Sequence, residues 1–157
     1  MLAESATIFE EFTDTGKASL LTAPEDRYGP YARTSVLAKD YLKSIRLRDE
    51  IAQIVDPILS KYDAICGPTR GNPASPIEDE FRGAIRGNAK DTLGALGNAV
   101  GLPAISVPNG FTRADLPTGI QFVGRAYAEN TILSLANHFQ KKTEWHLRHP
   151  AEVLDEI

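Results

Sequence analysis

Apolar residues recur at Leu37, Tyr41, Ile45, Ile51, Val55 and Ile58, with Lys39, Lys43, Arg46 and Asp49 among the positions between them. That spacing follows the helical period and predicts a long amphipathic helix from Val36 to Lys61. Ser35 or Thr34 is placed to cap its start, and Pro57 to kink or shorten its last turn. Nearer the N-terminus, Ile8, Phe9 and Phe12 stand among Glu4, Glu10 and Glu11, which predicts a short amphipathic helix ending near Gly16. The stretch "APEDRYGPYARTS" between the two helices reads as a loop.

The pattern then changes. A short apolar run, Ala64 to Cys66, stops at Gly67 and Pro68 and gives way to a segment punctuated by Pro73 and Pro76, as a strand emptying into a loop would. In "DTLGALGNAVG" the residues Leu93, Leu96 and Val100 alternate with glycines, which suits a helix that approaches a neighbour closely and ends at Gly101. Two further strands are expected at Ala104 to Val107 and Gly119 to Val123, with Pro103 and Pro108 marking where pairing of the first begins and ends. A last helix carries Ile132, Leu135, Ala136 and Phe139 on one face and Lys141 and Lys142 near its C-terminal end, where they complement the helix dipole.

Helices between short apolar strands indicate an α/β layer architecture, without internal repeats or low-complexity segments. Three strands make a small sheet for this number of helices, and its edges stay open unless another segment pairs with them. At 157 residues, 42% apolar and 24% charged, the chain is long enough for one globular core and too polar for a membrane protein. A net charge of -4 without runs of like charge gives no footprint for nucleic acid. The single cysteine, Cys66, and a start lacking a basic and then apolar leader point to the cytoplasm.

Candidate chemistry is sparse. His146 and His149 have the spacing of two ligands on one helical face, but Pro150 follows at once and no Cys, Asp or Glu completes a set, so no metal or cofactor is expected. His138 reads as a boundary residue of the last helix and Cys66 as a small buried hydrophobe. "GALGNAVG" matches neither phosphate-binding glycine pattern, and no serine lies in a G-x-S-x-G elbow. Arg70, Arg82, Arg86 and Arg125 are open to anion binding or to salt bridging. No self-contained catalytic site emerges.

The order of segments is more specific than any single residue. "DYLKSIRLRDEI", "YDAICGPT", "NAVGLPAISVPNGF" and "LPTGIQFVGRAYAENTILSLANHFQKKTEWH", from about Asp40 to His146, together resemble the C-terminal part of the amidase signature family. That family includes amide hydrolases and the A subunit of glutamine-dependent aminoacyl-tRNA amidotransferases. The resemblance implies an α/β fold in which this chain forms part of a mixed β-sheet flanked by helices on both faces, with "AISV" buried on both sides. It implies, too, that catalysis by two serines and a lysine belongs to a Gly-Ser-rich stretch that this chain lacks.

One site residue carries over. Counting back from Asn98, Asp91 falls where glutamine-using relatives have an acidic residue resembling a clamp for the substrate's amino group, although an Asp before Thr92 and Leu93 would serve equally as a helix N-cap. An arginine-bearing stretch of such relatives is shortened here around Arg33 to Lys39, so no arginine role carries over.

The expectation is a single domain over 1–157, with a helix and loop lead-in at 1–35, a family-matching core at 36–149 and a surface tail at 150–157. Functionally it is the C-terminal part of an amidase acting on carboxamides, inactive alone. The missing N-terminal half, or self-association through sheet edges, supplies its partner. The alternatives are a binding or assembly module without chemistry, or part of the A-type chain of a glutamine-dependent amidotransferase.

Overall fold

The computed structural model describes residues 2–23, 27, 35–76 and 91–148. The chain divides into two compact units, Met1–Glu50 and Ile51–Ile157. In the first, helices α1 (Leu2–Ile8) and α2 (Glu10–Asp14) stand in place of the single helix that the sequence pattern predicts, separated at Phe9. Gly16, in the left-handed region at φ 73°, ends the segment as its sequence predicts and leads into a 3-10 turn at Lys17–Leu20. Thr13 and Ala18 are buried there, while Ile8 and Phe9 are exposed.

Helix α3 (Ala38–Leu59) contributes residues to both units. Its first carbonyl acceptor is Leu37, which receives the N–H groups of Asp40 and Tyr41. Ser35 therefore stands two residues outside the capping position, and Thr34 lies outside the described residues. Pro57 is carried inside the helix, whose end then tightens: the Lys61 N–H reaches back only three residues, to the Ile58 carbonyl.

The second unit is built on a three-stranded antiparallel sheet of order β1 (Ile65–Pro68), β3 (Pro117–Val123), β2 (Ala104–Phe111). Register fixes the faces, because directly opposed residues share a face and successive ones alternate. Ile65, Gly67, Val123, Gln121, Gly119, Ala104 and Ser106 lie on one face; Cys66, Phe122, Ile120, Ile105 and Val107 lie on the other. Helix α4 (Thr92–Val100) covers the first with Gly97 buried over Val123, where a Cβ would make an ordinary van der Waals contact at 3.7 Å from Val123 Cγ1. Helix α5 (Glu129–Lys142) covers the second, with Phe139 edge-on to Phe122 at 6.2 Å and Ile132 and Ala136 buried. Helices thus flank the sheet on both faces. Val55 and Leu59, at the end of α3, complete the buried set.

Three expectations are corrected. Pro108 does not end its strand: it pairs with Gly119, and the ladder shifts register between Pro108 and Gly110 and continues to Phe111 opposite Pro117. Gly110 takes φ 138° in this bulge, and Trp145 packs edge-on against Phe111 beyond it. Pro103, just before the strand, does mark its start. "AISV" is not buried on both faces either, since Ala104 and Ser106 are exposed and only Val107 is fully buried. Cys66 is exposed, because it sits on the α5 side of β1 while α5 packs on β2 and β3.

Candidate functional site

The polar groups gather on the α4 side of the sheet. Asp91 caps α4, its Oδ1 accepting the Gly94 N–H at 2.7 Å, and the helix ends at Gly101 in the left-handed region with φ 72°. Asp–Thr at the start and Gly at the end are the sequence's own signals for these two boundaries. The same Oδ1 accepts a second hydrogen bond from Gln121 Nε2 at 3.0 Å, and Nε2 also donates to the Pro68 carbonyl at 2.9 Å. Gln121 is buried, with 6% of its surface exposed. Its carboxamide joins three segments far apart in sequence: the end of β1, the start of α4 and the middle of β3.

Beside this cluster the Thr69 and Ser106 hydroxyls lie 2.6 Å apart. Thr69 follows β1 and is tied down by its N–H to the Gly119 carbonyl at 2.8 Å; Ser106 projects from β2. They meet across Gly119 because that residue has no side chain: a Cβ there would stand 2.8 Å from Thr69 Oγ1 and 3.1 Å from Ser106 Oγ. The pair, with Arg70, Asn72, Pro108 and Thr118, lines a cavity of about 520 Å³. When one hydroxyl donates to the other, one O–H and the remaining lone pairs stay available, so the pair can donate to and accept from an amide.

Of the other residues singled out in the sequence, Arg125 is salt bridged. Its Nε and a terminal nitrogen contact the two Asp56 carboxylate oxygens at 2.6 and 2.8 Å. That hydrogen bonding holds the Asp56 carboxyl below its ordinary pKa and the Arg125 guanidinium above its own. Arg70 is exposed on the cavity wall, and Arg82 and Arg86 lie outside the described residues. His138 is exposed on α5. His146 is half-buried in a 3-10 turn at Trp145–Leu147, and His149 lies outside the described residues. Among the described residues, no group of three or more His, Cys, Asp or Glu could hold a metal, and no helix is long and apolar enough to cross a membrane.

Sequence reasoning singled out Asp91 and missed Gln121, Thr69, Ser106 and Gly119. Their only signal is polar or glycine residues at alternate strand positions, and which strand faces which depends on a register that no local pattern carries.

A family profile described as Amidase matches residues 5–133. The chain belongs to that family. The A component of the glutamyl-tRNA(Gln) amidotransferase of Methanosarcina mazei is 38% identical over 115 residues, 73% of this chain and 24% of that protein. Its counterpart in Treponema denticola is 32% identical over 143 residues, covering 82% of this chain and 30% of its own length. The chain therefore spans less than a third of these curated relatives. A crystal structure of an amidase superposes with TM-score 0.74 at 22% identity, covering 90% of this chain and 33% of that one. The peptide amidase from Stenotrophomonas maltophilia does so with TM-score 0.56 at 21% identity, covering 93% and 28%. At that identity the two structures support the fold.

Proposed function

We propose that this chain is the C-terminal part of an amidase acting on carboxamides, and that it contributes sheet and substrate-pocket wall. The serine–serine–lysine machinery then lies in a segment outside these residues or in a partner. The observation that carries this reading is the polar face of the sheet. It joins a cavity with a hydroxyl pair to a carboxylate, yet offers no serine with a lysine or histidine beside it among the described contacts.

The division of labour follows from the chemistry. Amide cleavage needs an activated nucleophile and donors aimed at the developing oxyanion. Among the described residues no base contacts the Thr69–Ser106 pair, which serves instead to hydrogen bond an amide. Asp91 offers a negative charge suited to a substrate's protonated amino group, in addition to capping α4. Substrate binding by Asp91 is part of this proposal.

A second reading is favoured by one observation: the curated relatives named above, at 32–38% identity, are A components of glutamyl-tRNA(Gln) amidotransferases. In that reading the amide is glutamine and the released ammonia passes to another acceptor. The test begins with the purified chain and a panel of simple carboxamides. No ammonia release above background is expected, and turnover that survives repurification overturns the proposal. Sequencing the coding DNA upstream of Met1 then looks for a Gly-Ser-Ser-Gly-type stretch and an upstream lysine. With that segment restored, comparing glutamine with other amides separates the two readings.

A further inference from the structure

Asp91 is held by more than a helix cap requires. An N-cap carboxylate needs one backbone N–H from the first turn, which Gly94 supplies at 2.7 Å. Here the same oxygen, Oδ1, also receives the Gln121 Nε2 donor at 3.0 Å, from a side chain buried on a different element. Chemistry fixes the orientation of that carboxamide. Its nitrogen faces two acceptors, Asp91 Oδ1 and the Pro68 carbonyl, so both N–H bonds are committed, and the flipped arrangement would set oxygen against oxygen twice. Oδ2 receives no hydrogen bond from a described residue.

Gly94 is the second part of the arrangement. Glycine is a poor choice inside a helix, yet a Cβ at this position would collide first with Asp91 Oδ2, and would stand 2.7 Å from Cγ and 2.9 Å from Oδ1. Only a residue without a side chain lets the carboxylate lie over the first turn of α4 in this pose. A capping Asp followed by Ala at the third position would be the more stable helix start, so the glycine favours carboxylate orientation over helix stability.

We propose that Gln121 and Gly94 form a seat that fixes the Asp91 carboxylate, with Oδ1 occupied from within the protein and Oδ2 left to a ligand's ammonium group. Gln121 is then a positioning residue and not a catalytic one. The inference rests on the proposed contact between Asp91 and the amino group of an amide substrate.

The test has two readouts. In the 15N-labelled chain, Gln121→Leu should move the Gly94 amide resonance and speed its hydrogen exchange about tenfold, the factor expected when a charge-assisted hydrogen bond loses its orienting partner. An unchanged Gly94 amide overturns the seat. In the amidase completed by its triad-bearing segment, KM is compared for amino-bearing amides (glycinamide, L-glutamine) and their amino-free counterparts (acetamide, glutaramate). Asp91→Asn, Gln121→Leu and Gly94→Ala should each raise the ratio of the two KM values about tenfold, equivalent to one charge-assisted contact. If Asp91→Asn raises the ratio and the other two do not, the seat fails while the Asp91 contact stands. If Asp91→Asn leaves the ratio unchanged, the Asp91 contact fails, and the Gly94 resonance alone decides whether the seat exists. Should Gln121→Leu not fold, Gly94→Ala, which keeps every donor, carries the KM comparison.

Discussion

The two faces of one small sheet are built to opposite ends. Toward α5 the strands present Phe122, Ile120, Ile105 and Val107, and the helix answers with Ile132, Ala136 and Phe139. Toward α4 the same strands pack Val123 under Gly97 at one end and present Gln121, Ser106 and Gly119, joined by Thr69, at the other, where the helix start answers with Gly94 and a carboxylate. The period-two alternation of a strand makes this economical, because three strands serve a packing face and a recognition face at once. The α5 face secures the positions of the strands, and the α4 face uses those positions.

The largest break in this comparison comes from the packing side. Ile132→Ala removes a buried side chain in the first turn of α5 and should cost about 2–5 kcal/mol, measured by chemical denaturation. Gln121→Leu comes next. It leaves Asp91 Oδ1 short of a donor and the Pro68 carbonyl without its side-chain partner, for about 1–3 kcal/mol. The contrast is sharper in a spectrum than in stability: Ile132→Ala should leave the Gly94 amide in place, whereas Gln121→Leu should displace it. A Gly94 amide displaced equally by both would mean that the polar face has no independent organisation.

How much of this is legible in the sequence follows the same division. The start of α4 at Asp91, its end at Gly101, the helical stripe of α5 and the existence of the three strands all rest on neighbours within a few residues and are found. Strand β1, however, runs on through Gly67 to Pro68 and β2 past Pro108, beyond the ends that the sequence pattern predicts. What cannot be read depends on distant partners. Gln121 meets Asp91 across thirty residues of sequence and Pro68 across fifty-three, through a register that local alternation leaves open. Pro108 reads as a terminator because the bulge that absorbs it is stabilised from outside, by Phe111 against Trp145. Cys66 reads as buried because its strand is apolar, but burial there is decided by how far α5 reaches across the sheet.

Smaller effects sharpen the recognition face. Thr69→Val keeps the shape and removes one member of the hydroxyl pair, at about 0.5–1.5 kcal/mol. Its larger signature should be weaker binding of amides to the cavity, measured by titration calorimetry in the completed enzyme. Gly94→Ala should change stability by less than about 1 kcal/mol, since the gain in helix propensity offsets the displaced carboxylate. That near-neutrality makes it a clean probe: orientation of Asp91 is altered while the fold is kept.

The smallest effect belongs to the exposed ion pair that joins the end of α3 to the segment after β3. Because Arg125 lowers the Asp56 pKa in the folded chain, the folded state binds that proton less readily than the unfolded state. The pair's contribution is therefore present above the unfolded carboxylate value, about 3.9, and is lost as pH falls through the lower folded value. Both partners are about half exposed, so solvent and salt screen the attraction, and the loss should be slight. Denaturation midpoints at pH 7 and pH 3 measure it, with Asp56→Asn as the comparison. The wild-type chain should lose slightly more between those values than the variant, and the difference should shrink in high salt. Equal losses in both proteins would show that the pair contributes nothing to tying the end of α3 to the segment after β3.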